Sequence, residues 1–265
     1  MNTGISFLII VPTFNSYLEL PRLCKSILDQ TFQNWRVIFI DADSCREHKK
    51  WLEDISKNDK RFLVKNEPRD NRGIYPSMSF GYTFANKTDW VIFLGSDDWF
   101  SLENVLEKLA NKISFFEKHE SIDLVIYESQ YLNKENNKII RKNHVPKLKS
   151  ADKLLFSKLI FFGYIPPHQS VCFSLKLLKK LMPYSKNYLL ASDCDLFLRM
   201  NKLKNLKIIF MKTNLINIQT GGISSVFLFK RIKEVLKIYF RYYNYFYLIP
   251  FILRYFRKAY SRLVS

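Results

Sequence analysis

Acid is in short supply in this chain. Only 24 Asp and Glu stand against 42 Lys and Arg, a formal net charge of +18 over 265 residues. Such a balance calls for an anionic partner, whether nucleic acid, an anionic lipid surface or a phosphorylated small molecule. Paired cysteines are missing too. Cys24, Cys45, Cys172 and Cys194 are scattered, without a CxxC pair or metal-ligand spacing. That argues against a zinc site or a disulfide framework and fits a reducing compartment. No uncharged apolar run reaches the roughly 18 residues expected of a membrane-spanning helix. The short run "FLIIV" is cut off by Pro12 and lacks a basic flank and a cleavage site. It reads as a first strand and not as a signal peptide.

What is present is globular: 48% apolar and 25% charged residues, with aromatics at 16%. The length suits one large α/β domain. Strand-like "SFLIIVPTFN" is followed by "YLELPRLCKSILDQT", with Leu20, Leu23, Ile27 and Leu28 at helical spacing. The alternation continues through "WRVIFIDADS", "EHKKWLEDISK", "RFLVKNE", a helical "YPSMSFGYTFANK", "DWVIFLGSDD" and "LENVLEKLANKISFFEKH". This rhythm predicts a mostly parallel sheet flanked by helices. Such sheets bind ligands beyond the carboxyl ends of their strands. Thr13 and Asn15, Asp41 and Asp43, and Asp97 and Asp98 all fall at those ends.

The second half is less regular. "DLVIYESQYLN" reads as a strand and "KENNKIIRKNHVPKLK" as an exposed hairpin or loop. "IPPHQSVCFSLKLLKKL" braces a turn with prolines before His168, and "LLASDCDLFLRMNKL" opens a helix with carboxylates near its positive end. "LKIIFMKTNLINIQTGG" reads as a strand pair ending at a glycine turn. From Ser224 the chain turns basic and aromatic, with Glu234 its one acid. Lys and Arg around Phe, Tyr, Ile and Leu at helical spacing suit a helix in the lipid headgroup region. The competing expectation is a helix packed on the domain, its lysine stems covering apolar surface. The division is placed at 1–222 for the α/β domain and 223–265 for the basic, aromatic segment expected to associate with a membrane.

Five stretches, in order over about residues 5 to 222, resemble the family 2 glycosyltransferases. They are "VPTFNSYLELPRLCKSILDQTF" with "VIFIDADS", "NEPRDNRGIYPSMSFGY", "DWVIFLGSDDWF", "PPHQSVCFSLKLLKKL" and "NYLLASDCDLFLRM". The resemblance implies a GT-A, Rossmann-like α/β fold with a mostly parallel central sheet, here followed by amphipathic C-terminal helices. It implies inverting transfer of a sugar from a nucleotide-diphosphate donor, UDP-linked by preference, to a glycan or lipid-linked acceptor. The setting implied is bacterial surface polysaccharide or lipopolysaccharide assembly, on the cytoplasmic face of the membrane. Pro12, Thr13, Asn15 and Asp41 match the family's nucleotide grip. Because this chain reads Asp41-Ala42-Asp43-Ser44, either Asp41 or Asp43 meets the base. Asp70 and Arg72 fall in the following loop. Asp98 matches the ligand of Mn²⁺ or Mg²⁺, and Asp97 the residue that holds ribose or a metal-bound water. Asp193 matches the general base, while His168 and Arg199 are candidates for the acceptor or diphosphate.

The residues carry the chemistry on their own terms. A departing diphosphate gathers negative charge that a divalent cation neutralises, and Mg²⁺ or Mn²⁺ takes carboxylate and phosphate oxygens. A helix cap is the bland alternative for "SDD" alone. Pro76 and Ser79 depart from the family pattern, which bears on the identity of the sugar. A nucleotidyltransferase would need a glycine- and lysine-bearing loop after the first strand, and "VPTFNSYLEL" has neither. A nucleic-acid binder would need a recognisable module or a platform of base-reading aromatics, and neither appears.

Overall fold

The structure is a computed structural model that describes residues 4–221 and 227–263. Its spine is a ten-stranded mixed sheet ordered β3-β2-β1-β4-β9-β6-β10-β5, with β7 on β6 and β8 on β10. The strands in chain order are β1 (Ser6–Thr13), β2 (Trp35–Asp41), β3 (Phe62–Asn66), β4 (Asp89–Phe93) and β5 (Trp99–Phe100). They continue with β6 (Leu124–Leu132), β7 (Ile139–Asn143), β8 (Ser150–Asp152), β9 (Val171–Ser174) and β10 (Lys207–Gln219). The helices are α1 (Leu20–Leu28), α2 (Arg46–Asn58), α3 (Ile74–Gly81), α4 (Val105–Glu117), α5 (Lys153–Phe161), α6 (Leu175–Leu181) and α7 (Ser192–Met200). Two more follow, α8 (Leu228–Tyr243) and α9 (Leu248–Leu263).

Alternation along β1 explains the layering. Phe7, Ile9 and Val11 face one core with Leu20, Leu23 and Leu52, while Leu8 and Ile10 face another with Tyr75, Met78 and Phe197. Both faces are covered, so the strand is apolar throughout. The parallel expectation holds for β3-β2-β1-β4 and for β6 with β10. Between them lies β9, antiparallel to both β4 and β6. This places the turn before β9, which carries His168, beside the end of β4.

Two elements differ from expectation. The stretch read as a strand pair is one long strand, β10, that stays paired to β6 through register shifts around Met211, Asn214 and Ile216. The irregularity interrupts the alternation that would have marked a single strand. The helix read over residues 75–87 ends at Gly81 and passes into a 3₁₀ turn, Tyr82–Phe84. Gly81 lies against β1, where a Cβ would stand 2.5 Å from Ile10.

The C-terminal helices are amphipathic and pack on the domain with one face. Val235, Ile238 and Tyr239 of α8 join the core that holds Leu8 and Phe93. Burial of each contributes about 1.5–3 kcal/mol. The backbone of α9 presses on Gly163, whose φ is +83° and whose Cβ would meet Arg254 N at 2.6 Å. The other face stays in solvent: Phe229, Phe240, Phe246, Ile252 and Phe256 are all exposed. Among the described residues no helix is long and apolar enough to cross a membrane. The boundary placed at 222/223 lies outside the described residues.

Candidate active site

The ends of β1 and β2 are stitched together. Thr13 pairs with Asp41 in register, and Thr13 Oγ1 donates to Asp41 Oδ1 at 3.5 Å. Ser44 donates to the same carboxylate through both its amide and its hydroxyl. The Asn15 amide donates to Ser44 Oγ at 3.0 Å, and Asn15 Oδ1 accepts from Cys45 N at 2.8 Å. Asn15 takes a left-handed φ of +49°, which asparagine tolerates in a tight turn. Beneath them lies a residue that sequence reasoning missed. The fully buried His48 accepts from Ser16 N through Nδ1 at 3.1 Å, and its Nε2 lies 3.4 Å from Asp41 Oδ1. Burial lowers the His48 pKa against the pull of Asp41, so the ring stays neutral. With Nδ1 accepting, the proton sits on Nε2 and faces the carboxylate.

Asp43 is different in kind. It is exposed, with a φ of +59°, and pairs with Lys49 at 2.5 Å. The Lys49 hydrogen bond and charge, helped by Arg72 and Arg69, hold its carboxyl below the usual range. Asp70 and Arg72 are exposed on this rim as well. Pro12, half-buried, pairs with Ile40 and sets the backbone before Thr13.

At the end of β4 the two aspartates part company. Asp98 is buried; its Oδ2 accepts from Gly95 N at 2.7 Å and its Oδ1 from Gln219 N at 3.4 Å. Burial and the adjacent Asp97 push its carboxyl up to about 8, against the pull of the Gly95 and Gln219 amides and the Gln169 side chain. Asp97 is half-buried, and its carboxyl is raised chiefly by desolvation. Arg22 braces this loop. Its guanidinium stacks on Trp99 at 3.5 Å, donates to Asp97 O at 3.2 Å and donates to Gln219 Oε1. Among the described residues no group of three or more His, Cys, Asp and Glu forms a ready-made metal cage. The donor set fits a hard divalent cation that takes one or two carboxylates and completes its shell with substrate phosphates. Two crowded carboxylates, one with its charge suppressed by burial, are a site that a cation would relieve.

The candidate base stands across the sheet. Asp193, in the first turn of α7, accepts through Oδ1 from Tyr75 OH at 3.1 Å and from Cys194 N at 2.8 Å. Its Oδ2 faces His168 Nδ1 at 3.7 Å. Burial works to raise the Asp193 pKa, but His168, Arg254 and the Cys194 amide outweigh it and hold the carboxyl at about 2. The carboxylate is therefore ionised at neutral pH, anchored by one oxygen and presenting the other. One 3₁₀ turn, His168–Ser170, bears on both carboxylate centres: His168 Nδ1 stands 3.7 Å from Asp193, and the Gln169 side chain works to lower the Asp98 carboxyl.

Arg199 is not brought into this group. Its Nε pairs with the buried Asp195 at 2.9 Å, and its Nη1 donates to Leu181 O and Pro183 O. Asp195 also accepts from Tyr242 OH at 3.2 Å. The pair therefore ties α7 to the neighbouring loop and to α8, and Arg199 is engaged with Asp195. The acid of the C-terminal segment serves the same loop. Glu234 accepts from Leu189 N at 3.1 Å and Leu190 N at 2.8 Å, fixing the chain just ahead of Asp193. Ser79, one of the departures from the family pattern, accepts from Tyr184 N at 3.0 Å and is a bracket of the fold.

Known proteins share this fold. The family described as "Glycosyl transferase family 2" matches residues 8–173, and the chain belongs to that family. It is 29% identical over 193 residues to a "PGL/p-HBAD biosynthesis glycosyltransferase" of Mycobacterium bovis, covering 73% of this chain and 68% of the relative. Among solved structures, S. aureus TarS 1–349 in complex with UDP-GlcNAc superposes with a TM-score of 0.70 at 19% identity, covering 98% of this chain and 74% of that one. The mannosyltransferase PcManGT of Pyrobaculum calidifontis, in complex with GDP-Man and Mn²⁺, gives 0.63 at 13% identity, covering 94% and 69%. The chain thus has the α/β fold of the GT-A glycosyltransferases and is a glycosyltransferase of the family 2 type.

Proposed function

We propose that the chain transfers a sugar, with inversion, from a UDP-sugar to a hydroxyl of a glycan or lipid-linked acceptor at a membrane surface. The observation that carries this reading is the 3₁₀ turn whose adjacent residues reach the Asp97–Asp98 pair on one side and Asp193 on the other. Donor and acceptor machinery are held one residue apart. On this reading Pro12, Thr13, Asn15 and Asp41 shape the nucleotide pocket, with Asp41 oriented by Ser44 and His48. Asp43, Asp70 and Arg72 line its solvent rim. Asp98 and Asp97 would hold Mn²⁺ or Mg²⁺, which when bound neutralises the charge gathering on the leaving diphosphate.

Asp193 Oδ2 accepts the proton of the acceptor hydroxyl as that oxygen attacks the anomeric carbon. The bond from that carbon to the diphosphate oxygen breaks on the opposite face. His168 lies against the same oxygen and supports its charge. A single displacement requires one base and no carboxylate nucleophile. The UDP-GlcNAc named for one structural neighbour, and the GDP-Man and Mn²⁺ named for another, support a nucleotide-sugar donor and a divalent cation. The test is nucleotide release from a panel of nucleotide sugars, with and without cation.

Membrane contact rests on the outer face of α8 and α9. Exposed Phe229, Phe240, Phe246, Ile252 and Phe256 are interspersed with lysine and arginine, so apolar insertion and charge complementarity both favour an anionic bilayer interface. We place the protein on the inner face of a cell membrane, peripherally bound. The triple variant Phe240→Ser/Phe246→Ser/Phe256→Ser alters only exposed side chains. It is expected to lose co-sedimentation with phosphatidylglycerol vesicles while its thermal midpoint holds; unchanged binding would refute the membrane contact.

A further inference from the structure

Four cations gather at one place beside Asp193. Arg254 and Lys258 lie one helical turn apart on α9, which packs against β7 and α8. From β7 comes Arg141, its guanidinium 4.0 Å from the Tyr131 ring centroid. From α8 comes Arg231, whose charge acts on Lys258 and on Tyr131. Arg254 is only 7% exposed, yet its Nε and Nη1 have no hydrogen-bond partner. Among the described residues none of the four cations forms an ion pair.

A group of like charges, one of them buried with unsatisfied donors, is costly unless an anion joins it. The strain is visible at Lys258. Desolvation, then the charges of Arg254, Arg231 and Arg141, drive its ammonium well below its usual range. Asp193 is the carboxylate that this group feels, but it is already anchored by Tyr75 and Cys194. Tyr131 lies within reach of both sets of charges: burial raises its phenol first, Asp193 and Asp98 push the same way, and Arg141 and Arg231 pull against them.

We propose that Arg141, Arg231, Arg254 and Lys258 form an anion subsite that receives a phosphate group carried by the acceptor. The proposal rests on the reading of Asp193 as the base, because it places the acceptor's hydroxyl at Asp193 and its phosphate under α9. Three guanidinium groups offer forked donors that match phosphate oxygens, and the lysine adds a point charge. The donor's diphosphate is provided for elsewhere, at the Asp97–Asp98 pair. A phosphorylated soluble glycan or polyol and a phospholipid-type headgroup share this chemistry. The C-terminal helices thus complete the acceptor side of the site as well as covering the core.

The experiment is calorimetric titration of inorganic phosphate into the full chain saturated with UDP and Mg²⁺, so that the donor site is filled. Phosphate is expected to bind, and Arg231→Gln/Lys258→Gln to weaken it about tenfold or more. These two side chains are partly exposed, which avoids unfolding the chain at buried Arg254. The variant Lys179→Gln/Lys180→Gln, on the exposed face of α6, is expected to leave phosphate binding unchanged. Absence of phosphate binding, or an equal loss in the α6 variant, overturns the proposal. Failure of UDP and Mg²⁺ to load would count against the donor reading instead. The same variants would then be compared on the unloaded chain, with the same two outcomes deciding. A second arm uses phosphatidylcholine vesicles with and without phosphatidic acid. Displacement of free phosphate by the phosphatidic acid vesicles assigns the subsite to a lipid headgroup, and no displacement assigns it to a soluble phosphorylated acceptor.

Discussion

Asp193→Asn is expected to lower kcat by about a thousandfold, within the range that a positioned general base supplies, while UDP affinity in the presence of Mn²⁺ stays within about twofold. The substitution is close to isosteric. The carboxamide oxygen of the variant can still accept from Tyr75 OH and Cys194 N, the two bonds that anchor Oδ1. What disappears is the charge on Oδ2 that takes the acceptor's proton. Because the wild-type carboxyl titrates at about 2, it is ionised across the neutral range. The pH–rate profile of the free enzyme should therefore show no acidic limb from this residue between about pH 5 and pH 8. Steady-state kinetics with a competent acceptor, set beside UDP titration, separate this from a folding defect. A variant with unchanged kcat would remove Asp193 from the chemistry, and one that also lost UDP affinity would make it a structural residue.

Asp98→Asn is expected to cost as much, for a different reason. Cation neutralisation of a departing diphosphate is worth several kcal/mol, which corresponds to a loss of about a thousandfold or more in rate. Asp98 also makes a thermodynamic prediction that needs no substrate. Its carboxyl is raised from 3.8 to about 8 by burial and by Asp97. At low pH it is neutral in both folded and unfolded chains. Between about pH 4 and pH 8 the unfolded chain gives up this proton while the folded, metal-free protein retains it. Folded stability is therefore lost as pH rises through that window. A cation bound at the pair displaces the proton, so the rise in thermal midpoint caused by Mn²⁺ should be larger at pH 8 than at pH 6. The Asp98→Asn protein should lack both the loss with pH and the Mn²⁺ effect. Thermal unfolding across that range, with and without Mn²⁺, measures both. An Mn²⁺ effect independent of pH, or one preserved in Asp98→Asn, would place the cation elsewhere.

Much of this arrangement is legible in the sequence where chemistry and periodicity coincide. Apolar runs that stop at polar residues mark β1, β2 and β4, and the carboxylates at their ends do converge on one edge of the sheet. The long β10 reads as two strands because its register shifts interrupt the alternation on which strand recognition depends. His48 is invisible because it sits on a helix whose pattern is satisfied by Leu52 and Trp51, and only packing brings it under Asp41. Arg199 is open to either Asp193 or Asp195 in the sequence, and the spacing of four residues within one helix favours the Asp195 pair that the structure shows. The C-terminal helices pose the hardest case, since one amphipathic pattern serves both a core and a membrane. Here the two faces divide, with Tyr239 inside and Phe240 outside. No local signal ties Glu234 to Leu190 or sets the charge of Arg254 to act on Asp193, because both arise only once α8 and α9 close over the sheet.

The central claim is that the strand ends bind a nucleoside diphosphate sugar through a cation and release the diphosphate on transfer. Nucleotide release, measured on the wild-type chain against a panel of UDP- and GDP-sugars with Mn²⁺ or with chelator, tests it most directly. The expected result is release of UDP from at least one UDP-sugar, dependent on Mn²⁺ and abolished by chelation. Release that persists in chelator, or no release from any donor in the panel at saturating Mn²⁺, would contradict it.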